Sequence, residues 1–294
     1  MIAGLLTPKT ISSSSVFGRD FKLDFRLKTY VMGIVNVTPD SFSDGGKYYD
    51  VDSAVAHCVR LEREGADIID IGGESSRPTA APVSVSEELQ RVLPVIKQAC
   101  RVVNIPISID TCKHQVAVEA IRSGASIVND ITALRDPAMA RVVAEHDVPV
   151  ILMHMQGTPL TMQTDPRYGD VVSEILDYLK GAIARAVKAG ISVEKIIIDP
   201  GIGFGKTVRH NIEILRGLKE LTCIGRPIAI GASRKSFIAK ILNCPSQDTI
   251  VGSLSVAAIA IYNGANIVRV HDVVQTKEVA KILDAMMHKK EAVS

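Results

Sequence analysis

The 294-residue chain has no strong excess of charge of either sign. Its 34 Lys and Arg stand against 32 Asp and Glu, for a formal net charge of +2. A nucleic-acid-binding surface would carry clustered surplus basic charge. Any anion this chain meets must therefore be held by a few placed side chains, not by a global field. Cysteine is sparse. The five residues, Cys58, Cys100, Cys112, Cys223 and Cys244, are odd in number and form no C-x-x-C. That argues against a disulfide framework or a zinc site and for reduced thiols in a cytoplasmic protein. No apolar run reaches the roughly 20 residues needed to span a bilayer. The apolar patch at 2–6 is too short for a signal-peptide core and lacks a basic start. Also missing are the G-x-S-x-G elbow, any Cys beside a plausible His, and a Gly-rich dinucleotide turn. The chain is thus not equipped for a covalent enzyme intermediate. Its chemistry should lie in orienting substrates and stabilising charge.

Hydrophobic residues make up 47% of the chain, enough for a large core. Short apolar runs alternate with longer amphipathic ones, with no linker between. Strands are expected at 30–35, 68–71, 106–109, 126–128, 148–153, 195–198, 227–230 and 265–270. One helix should cover 53–64, with Asp52 as N-cap and Gly65 as the stop. Another should start at the capping box Ser84-x-x-Glu87. The longest should run over 168–189 and end at Gly190, and the last should start near Thr276. Eight βα units over about 270 residues fit an α/β TIM (β/α)8 barrel. A doubly wound sheet is the rival, but the turn after its first strand would be Gly-rich, and here it reads Asn36-Val-Thr-Pro-Asp. Residues 1–19 read as a frayed leader and 20–294 as one barrel domain. Alternating residues at 21–27 suggest a short N-terminal β-hairpin over one end.

In a barrel the carboxyl ends of all strands share one mouth. Here they carry Asn36; Asp70 followed by Gly72-Gly-Glu-Ser-Ser-Arg-Pro78; Asp110-Thr111; Asn129-Asp130; His154; Asp199; Ser233-Arg-Lys235; and Arg269 with His271-Asp272. One Asp after a strand is ordinarily a helix cap, but polar endings on nearly every strand exceed what capping needs. They divide by chemistry. Asp110, Asn129, Asp199 and Lys235 offer donors and acceptors suited to a flat amino-heterocycle. Asn36, Arg77, Arg269 and His271 suit phosphate oxygens. The bland alternative for Arg269 is a structural ion pair with Asp272; His154, following a buried strand, reads as a structural histidine and not as a base.

Gly201-Ile-Gly-Phe-Gly-Lys-Thr207 ends like a phosphate-binding loop, but only three residues separate Gly201 from Gly205 where that loop needs four. It reads as a tight strand exit that exposes Phe204 as a stacking face, or as a core plug in the bland case. Ser233-Arg-Lys-Ser236 precedes a helical stretch at 237–242, whose free N–H groups could meet a carboxylate or simply be capped.

Taken together, Met32-Gly-Ile-Val-Asn-Val-Thr-Pro-Asp-Ser-Phe-Ser-Asp-Gly-Gly46 and Asp70-Ile-Gly-Gly-Glu-Ser-Ser-Arg-Pro78 closely resemble the dihydropteroate synthase family. Ile109-Asp-Thr111, Val128-Asn-Asp130, Met153-His-Met-Gln-Gly157, Asp199-Pro-Gly-Ile-Gly-Phe-Gly-Lys206, Ser233-Arg-Lys-Ser236 and Arg269-Val-His-Asp272 reinforce the resemblance over about 30–285. It implies a TIM-barrel transferase of folate biosynthesis, a sulfonamide target, usually a homodimer. Such an enzyme joins 6-hydroxymethyl-7,8-dihydropterin diphosphate to 4-aminobenzoate with release of pyrophosphate. By the resemblance, Asp110, Asn129, Met153, Asp199, Phe204 and Lys235 would hold the pterin. Asn36, Arg77, Arg269 and His271 would hold the diphosphate, with Mg²⁺ on Asn36. Phe42, Ser76, Arg77, Pro78, Phe204, Lys235 and Ser236 would receive aminobenzoate, Phe42 and the Ser76–Pro78 segment from mobile loops. Asp110, Lys235, Arg269 and His271 would be the catalytic set.

An aryl amine is neutral near pH 7, which fits the missing base and suggests a dissociative route under closed loops. Ser76 stands where the family generally has Thr, and Thr79 where Gly is common, so affinity for aminobenzoate and its sulfonamide mimics is open. Two rivals share the fold: a pterin-binding methyltransferase domain, which has no diphosphate to clamp, and an inactive pterin-binding scaffold.

Overall fold

The structure, a computed structural model, describes residues 15–38, 51–77 and 80–287. Along the chain these form β1 (Ser15–Phe17), β2 (Lys22–Asp24), β3 (Tyr30–Asn36), α1 (Val51–Arg63), β4 (Ile68–Gly72), α2 (Val85–Val102), β5 (Ile107–Asp110), α3 (His114–Arg122), β6 (Ile127–Asp130) and α4 (Pro137–His146). There follow β7 (Val150–Met153), α5 (Val171–Lys188), β8 (Ile196–Asp199), α6 (Val208–Leu221), β9 (Ala229–Ile230), α7 (Ser236–Leu242), α8 (Ile250–Tyr262), β10 (Ile267–Val270) and α9 (Val273–Met286). Strands β3 to β10 make one parallel sheet in the order β8-β7-β6-β5-β4-β3-β10-β9. Its edges meet where Ile198 bridges Ile228 in parallel and the Ile198 N–H donates to the Pro227 carbonyl at 2.9 Å. The sheet is a TIM barrel, as expected.

Strand side chains alternate between two cores. Outward-facing Val31, Ile69, Ile109, Val128, Val150, Ile198, Ile230 and Val268 pack under the helices. Inward-facing Met32, Ile68, Ile127, Ile151, Ile197, Ala229 and Ile267 fill the lower barrel. That floor is closed by the hairpin β1–β2, whose Val16 and Leu23 are paired in register and buried. The hairpin begins earlier than the sequence suggests. Ser15–Phe17, placed in the frayed leader, is its first strand. The Ser-rich run before it masks the one apolar residue, Val16, that the barrel floor takes up.

Helix ends differ in detail from expectation. Helix α1 starts at Val51, so Asp52 lies inside its first turn, where it favours the helix dipole but does not cap. Ser84 caps α2 by accepting from the Glu87 N–H at 3.1 Å, while the Glu87 carboxylate turns to Arg91 and leaves the box half made. Asp170, accepting from the N–H groups of Val172 and Ser173, starts α5 later than 168. Helix α9 starts at Val273, ahead of Thr276, whose hydroxyl donates to the Asp272 carbonyl. Among the described residues no helix is long and apolar enough to cross a membrane.

Candidate active site

Above the apolar floor the same inward parity puts Asn36, Asp70, Asp110, Asn129, Met153, Asp199 and Arg269 at the carboxyl ends of the strands. The centre is an ion cluster. Arg269 on β10 donates from Nε to Asp70 Oδ2 at 2.5 Å and from Nη2 to Asp110 Oδ2 at 2.7 Å. Asn129 Nδ2 donates to the same Asp70 oxygen at 3.1 Å. Burial pushes the Asp110 carboxyl up to about 7, with Asp70 adding to the rise and Arg269 opposing it. Burial alone would lower the Arg269 guanidinium, but Asp70 and Asp110 outweigh it and hold the charge on.

Asp199 accepts from the Gly201 N–H at 2.7 Å, and burial raises its carboxyl. Lys235 donates from Nζ to the Ile202 carbonyl and stands 4.2 Å from the centre of the Phe204 ring. Burial lowers its ammonium to about 7, against the pull of Asp199. Phe204 is half-buried against Met153, Met155 and Met162, so it is neither a bare stacking face nor a deep plug. Gly201 has φ of +69°, and a Cβ there would lie 1.9 Å from the His154 carbonyl oxygen. The strand exit therefore lies directly on the β7 loop, which only glycine permits.

At the rim, Ser233 Oγ lies 3.1 Å from His271 Nδ1. Burial, with Arg269 and Arg234, lowers the His271 imidazole to about 4, so it is neutral at pH 7. Asp272 is claimed by Arg234, through Nη2 at 2.5 Å and Nε at 3.1 Å. The bland Arg269–Asp272 pair is thus not formed, and Arg269 belongs to the mouth. Arg77 is exposed at the edge and Ser76 half-buried, while Ser236 is exposed at the first residue of α7. Phe42, Pro78 and Thr79 lie outside the described residues, as does most of the expected lid over 38–46.

Two residues were given no role from sequence. Asp70 is fully buried and binds both Arg269 and Asn129. Its signal was its place two residues before Gly72, on the inward parity. Lys206 is buried too, donating to His154 Nδ1 and the Phe204 carbonyl, each at 2.9 Å. Burial holds the Lys206 ammonium well below its ordinary value and the His154 imidazole down to about 2. His154 is therefore a structural neutral acceptor, as its place in the sequence suggests. Asp130 faces outward and accepts from Thr132 and Leu134, a local cap and not part of the mouth.

A barrel with carboxylates, an amide and cations converging at its mouth is the architecture of a small-molecule enzyme. A family model described as pterin binding enzyme matches residues 32–271, from within β3 to just past β10. The dihydropteroate synthase of Escherichia coli is 48% identical over 262 residues, 89% of this chain and 93% of that protein. A Yersinia pestis dihydropteroate synthase solved with a sulfonamide drug complex superposes with a TM-score of 0.89 at 44% identity, over 93% of this chain and 99% of that one. The Xanthomonas albilineans dihydropteroate synthase solved with 4-aminobenzoic acid gives 0.85 at 43% identity, over 91% and 95%. The chain belongs to the dihydropteroate synthase family.

Proposed function

We propose that this transferase condenses 6-hydroxymethyl-7,8-dihydropterin diphosphate with 4-aminobenzoate to give 7,8-dihydropteroate and pyrophosphate. The observation that carries the reading is that Asp110, Asn129, Asp199 and Arg269, inward at the strand ends, meet Lys235 ahead of α7 and His271 just past β10 at one mouth. Asp110, Asp199, Asn129 and Lys235 present two carboxylates, an amide and an ammonium to a pterin edge, with Met153 as the apolar wall. Arg269, His271, Asn36 and Arg77 receive the diphosphate, and Phe204, Lys235, Ser76, Arg77 and Ser236 the aminobenzoate. Asp110, Lys235, Arg269 and His271 form the catalytic set.

The reaction breaks the C–O bond to the diphosphate, whose electron pair leaves on pyrophosphate. The amine lone pair then forms the C–N bond, and one amine proton passes to the departing pyrophosphate. We place bond cleavage first. The cation delocalises into the pterin, and Asp110, raised but partly ionised near pH 7, faces it. No base is needed, which suits a mouth whose His271, lowered to about 4, is a poor proton acceptor and whose Lys235 is largely occupied with Ile202 and Phe204.

The donor set bears on Mg²⁺. Asn36 offers a neutral oxygen, and among the described residues no three His, Cys, Asp or Glu are grouped to hold an ion. Such a set fits an ion that arrives with the diphosphate and not one resident in the fold. Asn36 would hold it, and it would neutralise charge on the leaving oxygens. Chelation should therefore leave the melting temperature unchanged and weaken diphosphate-substrate binding at least tenfold, as read by calorimetric titration. A fall in melting temperature on chelation would overturn the resident-free assignment. The reading as a whole is tested by mixing the chain with both substrates and Mg²⁺ and following pyrophosphate. Failure of aminobenzoate to stimulate that release would sink it.

The proposal includes a homodimer and a cytoplasmic setting. All five cysteines are free. Helix α8 is apolar around most of its circumference, yet Val251, Ile259 and Tyr262 are exposed at 72%, 50% and 65%. Ile282 and Met286 of α9 are similarly bare at 63% and 65%, and α9 packs beside α8. Large exposed apolar side chains on two neighbouring helices support an interface here. Ile259→Glu should convert a dimer to a monomer in sedimentation, and an unchanged sedimentation coefficient would count against this face.

A further inference from the structure

The loop after β4 carries Ser76 and Arg77, and it is braced by an ion cluster lying between that loop, the loop after Asp110 and α2. Glu74 Oε1 accepts from the Val83 N–H at 2.8 Å, joining the start of that loop to its end. Glu74 Oε2 accepts from Lys113 Nζ at 2.6 Å. Lys113 belongs to the next loop, three residues after Asp110, and its Nζ also donates to Glu88 Oε2 at 2.5 Å. Glu88 sits on α2 with no solvent exposure. A second tie comes from the same helix, where buried Arg91 donates from Nη1 to the Gly73 carbonyl at 2.7 Å and pairs with Glu87.

Surface ion pairs contribute little and are not reasons for a geometry. This cluster is different. Glu88 is fully buried and Lys113 and Glu74 mostly so. Burying one ammonium between two carboxylates is costly unless the geometry is fixed. Carried by the Asp110 loop, the ammonium meets both the Arg77 loop, at Glu74, and α2, at Glu88.

We infer that Lys113, bridging Glu74 and Glu88, is a positioning residue that fixes the Ser76–Arg77 loop against the Asp110 loop, and so sets aminobenzoate capture. The inference rests on the proposed reaction, because it assumes that this loop receives aminobenzoate. Lys113 touches neither substrate. Its removal should act more strongly on aminobenzoate, which meets both Ser76 and Arg77, than on the diphosphate substrate, which meets Arg77 alone of this loop.

Lys113→Met is paired with Glu88→Gln, so that the fully buried carboxylate is not left without its cation. A second variant, Glu74→Gln, keeps an oxygen for the Val83 N–H and removes only the charge that Lys113 meets. In the intact enzyme both should raise KM for aminobenzoate about tenfold. Binding of the dihydropterin diphosphate, titrated alone, should weaken by a clearly smaller factor, about threefold, because Arg77 is one of four groups assigned to that substrate. Lys113→Arg should recover most of the loss. In an Arg77→Ala background the double variant should add nothing further to the aminobenzoate KM, because loop placement no longer matters once the side chain it places is gone. Equal losses for both substrates, or losses that add to those of Arg77→Ala, would overturn the inference by making the cluster merely structural. A wild-type chain with no aminobenzoate-dependent release would instead strike the reaction itself, a distinct failure.

Discussion

Arg269→Ala is expected to abolish dihydropteroate formation and to destabilise the fold by about 3–5 kcal/mol, the usual cost of leaving a buried charge without its partner. Two of its guanidinium nitrogens are committed to carboxylates, Nε to Asp70 and Nη2 to Asp110. The Asp70 side chain has no exposure and that of Asp110 only 13%. Removing the cation leaves both buried, facing one another's charge. The pH dependence follows. Asp110 already stands at about 7 through burial, against an ordinary 3.8. Without Arg269 it rises further. A carboxyl with a raised folded pKa binds more protons folded than unfolded, so stability falls as pH rises through that window. The variant should therefore be weakest above pH 7 and partly recover toward pH 5, as read by chemical denaturation. Adding Asp70→Asn should restore part of the stability at pH 7 and none of the activity. If the single variant kept its affinity for the diphosphate substrate, the assignment of Arg269 to that substrate would be wrong.

How much of this was visible in the chain depends on what each residue is near. The strands were visible because parallel strands buried on both faces read as runs such as Ile196–Asp199, Ile-Ile-Ile-Asp, in which a polar end is conspicuous. The shared carboxyl ends of barrel strands then put Asp110, Asn129 and Asp199 at one mouth without any coordinates. The partner of Arg269 was not visible in the same way. Asp70 lies 199 residues earlier, and barrel closure alone brings β10 within two strands of β4. Asp272, three residues away in sequence, was the obvious candidate, and Arg234 has it. Lys206 was hidden for another reason. A lysine is almost never fully buried, and nothing in Gly-Phe-Gly-Lys says that its stem turns back to His154. The Lys113 cluster escaped because Glu74, Glu88 and Lys113 look like ordinary solvated charges until α2 and two loops are laid together.

Lys235→Met should separate activity from stability in the direction opposite to Arg269→Ala. The Lys235 ammonium is buried, bonded to the Ile202 carbonyl and held over Phe204, and burial lowers it from 10.5 to about 7. A lysine with a depressed folded pKa binds fewer protons folded than unfolded. The resulting cost is fully present below pH 7 and is lost as pH rises from there to about 10.5. Methionine keeps the apolar stem and removes that cost, so the variant should melt no lower than the parent at pH 7, with any gain vanishing at alkaline pH. Activity should nevertheless fall on the order of a hundredfold in kcat/KM for both substrates, about 2.7 kcal/mol, because the same ammonium faces the pterin pocket and the Phe204 surface. The parent profile should be a bell centred near pH 7. Asp110 must ionise to hold the pterin, giving an acid limb near 7, and Lys235 must keep its proton, giving an alkaline limb near 7. Because the two groups share one mouth, these limbs belong to the pair. In Lys235→Met only the acid limb should survive. A variant that kept both limbs would show that another group carries the alkaline one, and a variant that lost activity together with its melting temperature would show that Lys235 serves the fold and not the substrates.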